Sequence, residues 1–197
     1  MEPISIEDLI YGYKNGIFPM AEASSEEVFW YAPDPRAIIP IDTYKASKSL
    51  RPVLNKKTFE LKIDSDFEST IKHCAKGRFL GDDTWISDQI IKVYCELHRV
   101  GIAHSVEAYL EGKLVGGLYG VAIGAVFFGE SMFHLMPNAS KVAFNHLMEI
   151  LKKQNYLLLD TQFMNDDVAR YGAIEISKNQ FMKKLRFAIS QNRTFSY

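Results

Sequence analysis

Between Val126 and Phe163 an apolar run, a stretch with helical spacing and a second apolar run follow one another, and no other segment limits the possible folds so tightly. Val126 to Phe133 reads as a strand. After Pro137, with Asn138 or Ser140 as cap, Val142, Ala143, Leu147, Ile150 and Leu151 share one helical stripe, and Tyr156 to Phe163 is a compact second strand. Strand, helix and strand in this order are expected to form a right-handed crossover between parallel strands. The fold class is therefore α/β (α+β). Upstream, Ser105 to Leu110, Leu114 to Ile123 and Val126 to Phe133, parted by turns at Glu111–Gly112 and Gly124, predict an antiparallel meander. Ser87 predicts the cap of a helix carrying Ile90, Val93, Tyr94 and Leu97 on one face and ending at Gly101. Beyond the last strand, Asp166 to Tyr171 reads as a turn or short helix, and a basic helix begins near Ser177.

The start of the chain has a different texture. An amphipathic helix over Ser5 to Asn15 gives way to a stretch punctuated by Gly16, Pro19, Pro33, Pro35 and Pro40. Prolines this dense argue against long helices and central strands, so turn and extended chain are expected there. The reading is a small N-terminal domain over residues 1–58 and a second domain over 59–197.

Composition narrows the class. With 197 residues, 47% of them apolar, the chain can bury a core without disulfides or metals, and disordered, collagenous and disulfide-framework classes are excluded. Met1 to Leu9 does not read as a leader, and no apolar run approaches the ~20 residues of a membrane span. Cys74 and Cys95 form no CxxC pair. The expectation is a soluble, cytoplasmic monomer with no membrane partner. The formal net charge of -1 conceals asymmetry. Lys45, Lys48, Arg51, Lys56 and Lys57 stand in one acid-free segment, and Lys178, Lys183, Lys184, Arg186 and Arg193 in another, which leaves the rest of the chain strongly acidic. Such segregation fits either two solvated surfaces or a face that binds polyanions.

Ligands of parallel α/β units collect at the carboxyl ends of strands, beside helix N-termini. Two clusters fall there: Gly129, Glu130 and Ser131 after one strand, and Asp160, Thr161 and Gln162 at the end of the other. In a regular strand Asp160 and Gln162 point to one face, and with Glu130 they would make a polar floor in an apolar cleft. The alternative is that Asp160 only accepts backbone hydrogen bonds at a strand end. The five histidines show no zinc-like pairing, so no metal is expected. GxSxG, GxxxxGK[ST] and GxGxxG are absent, which disfavours an α/β-hydrolase elbow, nucleotide hydrolysis and dinucleotide binding, and no cofactor is expected. Trp30, Tyr31 and Trp85 fall in loop-like stretches, where aromatics either stack on bases or anchor the loop to the core.

The segments GIFPM (Gly16 to Met20), WYAPDPR (Trp30 to Arg36), TWI (Thr84 to Ile86), LHRVGIAHSVE (Leu97 to Glu107), LVGGLYGVAIG (Leu114 to Gly124), FFGESMF (Phe127 to Phe133), PNASK (Pro137 to Lys141) and LLDTQ (Leu158 to Gln162) occur in order across most of the chain. Together they resemble the bacterial leucyl/phenylalanyl-tRNA–protein transferases. The resemblance implies a small N-terminal domain joined to a GNAT-like acyltransferase domain. It implies transfer of Leu or Phe from aminoacyl-tRNA to proteins with an N-terminal Arg or Lys, which marks them for degradation. It implies Asp160 and Gln162 as the catalytic pair, Glu130 near the aminoacyl amino group, and Trp85 on the terminal adenosine. An apolar side-chain pocket is implied around Leu118, Phe127, Phe144, Leu147 and Leu151, with Asn165 following the catalytic pair. Lys45, Lys48, Arg51, Lys56 and Lys57 would meet the tRNA acceptor arm. Met20 stands where the family usually has a Trp, also near the adenosine.

An aminoacyl ester is activated, so amide formation from it needs no ATP or metal. The enzyme must hold a neutral amine against the carbonyl, and an α-amino group of pKa about 7.7 to 8.0 supplies some neutral amine unaided. On this reading Gln162 orients the amine, while Asp160 fixes the Gln162 amide and favours loss of the proton. Two alternatives stand beside it: an acyl-CoA-dependent GNAT N-acyltransferase, against which the missing [RQ]xxGx[GA] loop counts, and a non-catalytic binder of tRNA or N-terminal residues.

Overall fold

Helix α1 (Ile6–Lys14) begins where Ser5 and Asp8 cap each other's backbone, and it ends at Asn15 and the left-handed Gly16 (φ 75°). The computed structural model describes residues 3–22, 27–76 and 84–195; Met1 and Glu2, where the segment read for a leader begins, lie outside them. After α1 come β1 (Phe18–Ala21) and β2 (Val28–Tyr31), paired as an antiparallel hairpin, and then β3 (Arg36–Ile39). There follow α2 (Arg51–Lys56), β4 (Glu60–Ile63), α3 (Phe67–Cys74), α4 (Asp88–Arg99), β5 (Ala103–Leu110), β6 (Lys113–Ile123), β7 (Val126–His134) and α5 (Ala139–Lys153). The chain closes with β8 (Leu158–Gln162), α6 (Asp166–Arg170), β9 (Ile174–Ile176) and α7 (Lys178–Ile189). No helix among the described residues is long and apolar enough to cross a membrane.

Among the described residues the main sheet has seven strands in the order β4-β5-β6-β7-β8-β3-β9. The meander is β5-β6-β7, each pair antiparallel, and the crossover through α5 makes β7 and β8 parallel, as expected. The mixed α/β class is therefore observed, with one parallel pair in an otherwise antiparallel sheet.

Period-two alternation assigns side chains to two cores. Ile38, Tyr119, Val121, Val126, Phe128 and Leu158 join the first, which is covered by residues of α1, α3, α4 and α7. Ile39, Leu118, Phe127 and Leu159 join the second, under α5. The buried stripe of α5 is wide, running from Ala139 through Val142, Ala143, Phe144, Leu147, Met148 and Leu151. Both cysteines are buried and free. Cys74 lies in an apolar setting that pushes its thiol pKa up, so it is an inert packing residue.

One expectation needs correction. The proline-rich segment was expected to hold no central strand and to belong to a unit ending at residue 58. Instead β3 lies inside the main sheet, antiparallel to β8 on one side and to β9 on the other. The physical reason is position: Pro35 and Pro40 flank the strand, and Arg36 to Ile39 keep every donor the ladder needs. The first 58 residues thus do not close on themselves. The Pro-rich turn is also tied to the far end of the chain, since the N–H of Lys178 at the start of α7 donates to Asp34 Oδ1 at 3.0 Å. The hairpin seats on α1 at Gly12, where Trp30 lies so close that an added Cβ would meet its ring at 2.3 Å.

Candidate active site

The parallel pairing of β7 and β8 ends at Phe128↔Asp160, although both strands continue. Just past that point each carries an irregularity. On β7 the register against β6 passes from Gly129↔Gly120 to Ser131↔Tyr119, leaving Glu130 as the extra, bulged residue. On β8 the register against β3 passes from Asp160↔Ile38 to Gln162↔Ala37, leaving Thr161 extra, and Gln162 adopts φ 59°. A bulky non-glycine residue in that left-handed region is held there by its surroundings.

A cavity of about 250 Å³ opens at this place. Ile39, Leu118, Phe144, Leu147 and Leu159 give it an apolar wall, and Trp85, Glu130, Thr161, Gln162 and Asn165 line the rest. Tyr171 closes one side, with its ring centroid 4.1 Å from that of Phe144 and its hydroxyl 3.7 Å from Met132 Sδ. An apolar wall with a few polar groups is the ordinary make-up of a small-molecule site.

Glu130 is the centre of the polar side. Its Oε1 accepts from Tyr13 Oη at 2.7 Å and from Gln162 Nε2 at 3.2 Å, and its Oε2 accepts from Tyr94 Oη at 3.4 Å. The two tyrosine hydroxyls also hydrogen-bond to each other. Burial, helped by the nearby Asp160 charge, pushes the Glu130 carboxyl up to about 8, despite the opposing hydrogen bond from Tyr13 and the Arg36 charge. The unfolded chain binds this proton only below the ordinary value of 4.5, whereas the folded chain holds it up to about 8. Across that window the folded state carries more protons, so the group's contribution makes stability fall as pH rises, and it is flat on either side. Glu130→Gln should remove this slope: its urea-measured stability relative to the parent should increase from pH 5 to pH 7.5. An equal difference at both pH values would contradict the assignment.

Asp160 is placed differently from the expectation. It is fully buried and bound by Arg36, whose Nε donates to Oδ1 at 2.9 Å and Nη2 to Oδ2 at 2.7 Å. Arg36 Nη1 donates to Gly16 O at 3.1 Å, and its guanidinium lies between the Phe18 and Phe181 rings, 4.7 and 4.6 Å from their centroids. The bidentate fork fixes the carboxylate geometrically. Asp160 Oδ1 also accepts the Gln162 backbone N–H at 3.0 Å. The expectation that pleat alternation presents Asp160 and Gln162 together, with Asp160 fixing the Gln162 amide, is therefore corrected. The bulge at Thr161 breaks the alternation, Asp160 holds the backbone of Gln162, and Glu130 holds its side-chain amide.

The structure brings Trp85, Leu118, Glu130, Phe144, Leu147, Gln162 and Asn165 to the cavity wall. Asn165 is also the cap of α6, its Oδ1 accepting from Asp167 and Val168 N–H at 3.0 Å each. Phe127 and Leu151 are fully buried in the second core, outside the wall. Their strand and helix stripes turn them inward, behind the residues that face the cavity. Met20 lies in the hairpin, packed on the first core and not lining the cavity, although the N–H of the next residue, Ala21, donates to the Trp85 carbonyl at 3.1 Å. Lys45, Lys48, Arg51, Lys56 and Lys57 are all exposed. Their segment starts next to Tyr44, which packs edge-on against the cavity residue Phe144 at 5.6 Å. Sequence reading assigned no role to Arg36, Tyr13 or Tyr94. The lone charge opening the apolar run Arg36 to Ile39 was the available signal for the first. Nothing local distinguished the tyrosines from other members of their helical stripes.

The description of the leucyl/phenylalanyl-tRNA protein transferase family matches residues 38–186, and that of the N-terminal domain of the same transferases matches residues 2–34. The chain belongs to the leucyl/phenylalanyl-tRNA–protein transferase family. Its members are aminoacyltransferases. A relative of that name from Chlorobaculum tepidum is 47% identical over 192 residues, covering 98% of this chain and 99% of the relative. One from Gloeobacter violaceus is 44% identical, covering 93% of each. Among solved structures, L-PGS from Bacillus licheniformis is similar with a TM-score of 0.44 at 15% identity, covering 91% of this chain and 62% of that one. The two family matches divide the chain between residues 34 and 38, at the entry to β3 and well before residue 58.

Proposed function

We propose that this transferase moves Leu or Phe from aminoacyl-tRNA to the N-terminal Arg or Lys of proteins, acting as a cytoplasmic monomer and producing a degradation signal. The observation that carries the reading is the apolar cavity of about 250 Å³ whose polar side is the Glu130–Gln162 pair. The cavity takes the donor's side chain. A cationic amino group beside Glu130 favours the ionised carboxylate by opposite charge, so binding offsets the cost of its burial. Trp85 offers its ring to the terminal base, and the exposed bases from Lys45 to Lys57 meet phosphates of the acceptor arm.

Chemistry follows from the hydrogen bonds. Gln162 Nε2 is committed to Glu130, so Gln162 Oε1 is the atom left to accept from the attacking amine. The amine nitrogen forms a bond to the ester carbonyl carbon, the bond from that carbon to the ribose oxygen breaks, and the proton lost by the amine ends on the ribose hydroxyl. Orientation supplies the rate gain, since the amine is in part neutral at cellular pH. Asp160 acts one step back, by holding Arg36 and the Gln162 backbone.

The test is a panel of labelled aminoacyl-tRNAs set against peptides that differ only in the first residue. Leu and Phe should pass to Arg- and Lys-initiated peptides. Consumption of acyl-CoA instead, or donor binding without transfer to any acceptor, would overturn the reading.

A further inference from the structure

A second cavity, of about 650 Å³, shares Met132, Asp167 and Tyr171 with the first, so these side chains form a partition between two neighbouring spaces. The two spaces differ in chemistry. Ile39, Leu118, Leu147 and Leu159 wall the first, whereas His134, Asn138, Lys141 and Arg170 line the second. What stands between them therefore decides whether the first cavity ends in an apolar wall or opens into a polar one.

Tyr171 is the largest member of the partition, and its side chain is held at both ends. Its ring centroid lies 4.1 Å from that of Phe144, and its hydroxyl donates to Met132 Sδ at 3.7 Å. A thioether is a weak acceptor, so ring packing rather than the hydrogen bond sets the position. The backbone is fixed as well. Tyr171 caps the C-terminus of α6, its N–H donating to Val168 O at 3.0 Å, while Asn165 in the wall of the first cavity caps the other end. Asp167 is ion-paired at 3.6 Å with Arg170, a residue of the second cavity. Met132 adds a sense of distance, since it follows Glu130 on β7 by two residues, a rise of roughly 6 to 7 Å. A side chain whose amino group rests at Glu130 and which runs along the apolar wall meets the partition at its far end.

We propose that Tyr171 is a specificity-determining residue that sets the length of donor side chain the transferase accepts, by closing the apolar cavity against the polar one. The inference rests on the proposed function, to which it adds the residue that limits size. A side chain longer than the cavity must push the ring off Phe144, and overfilling a packed space costs about tenfold to a hundredfold. Loss of the ring acts in opposite directions on long and short side chains. A long one gains room, whereas a short one loses apolar cover and is left open to water from the polar side.

Two donors of different length test this: leucyl-adenosine and 4-phenylphenylalanyl-adenosine. In the parent enzyme kcat/KM should favour the leucyl donor by about tenfold or more. Tyr171→Ala should move the ratio between the donors toward the long one by about tenfold to a hundredfold, and Tyr171→Phe, which keeps the ring, should retain the parent's ratio. An equal loss with both donors in Tyr171→Ala would make the role structural and overturn the proposal, as would a Tyr171→Phe ratio that matches Tyr171→Ala. If Tyr171→Ala does not fold, Met132→Ala trims the partition from the strand side and should shift the ratio the same way by a smaller factor; an unchanged ratio there overturns the proposal. If the parent transfers neither donor to any acceptor, the functional reading fails separately. Dissociation constants of the same two compounds with an amide in place of the ester then decide the partition: the same shift in their ratio in Tyr171→Ala supports it, and an unchanged ratio or no binding overturns it.

Discussion

Arg36→Met should destabilise the protein by about 3 to 5 kcal/mol, because it leaves Asp160 charged and buried with its main partner gone. Methionine keeps an unbranched stem between Phe18 and Phe181, so most of the loss is electrostatic rather than a packing void. For a chain of this size the corresponding fall in Tm is on the order of 10 °C. Urea unfolding checks it, and a loss below about 1 kcal/mol would contradict the buried-pair account. Adding Asp160→Leu should recover only part of the loss. The Asp160 carboxylate also accepts the Gln162 N–H, which the double variant leaves unsatisfied at about 1 to 3 kcal/mol. A double-mutant cycle between the two positions should therefore show strong coupling.

Gln162→Ala should lower single-turnover transfer by about 100- to 1,000-fold with little change in donor binding, since in the proposed mechanism the lost group orients the amine only on the way to the transition state. Alanine is less comfortable than asparagine at φ 59°, so Gln162→Asn is the sharper variant. Asparagine suits the left-handed backbone but is one methylene shorter, so stability should hold while transfer still falls strongly. A Gln162→Asn enzyme with parental transfer rates would sink the positioning role. Asp160→Ala is a poorer probe than the sequence implied, because it breaks the Arg36 pair and the bulge together and so mixes folding with catalysis.

Local patterning was enough for most of the main sheet. The stripes of α4 and α5, the cap at Ser87, the glycine stop at Gly101 and the alternation of β5 to β7 are each written within a dozen neighbouring residues. The parallel pairing of β7 with β8 followed from chain order alone. The place of β3 was not legible. Its four residues are too short for a period to show, and what seats them is pairing with β8 and β9, more than a hundred residues away in sequence. The site divides in the same way. Glu130 was found because it follows a strand end, whereas Trp85, Phe144 and Leu147 were reached only through the family resemblance. Phe127 and Leu151, which the resemblance placed around the pocket, lie behind its wall, since a motif position does not tell how deep a residue sits.

By itself, then, the sequence determined the element types, the crossover, the family and the residue types available for chemistry, because these depend on short-range periodicity and on motifs read in order. Tertiary structure alone decided how those residues act. Two bulges, at Glu130 and Thr161, sit where β7 and β8 cease to pair, and they turn Glu130 toward Gln162. Arg36 reaches across from the proline-rich segment to occupy Asp160. Burial beside Tyr13 and Tyr94 moves the Glu130 carboxyl to about 8. Each depends on a low-dielectric enclosure assembled from distant segments, and neither desolvation nor a long-range charge contact is encoded at any one position of the chain.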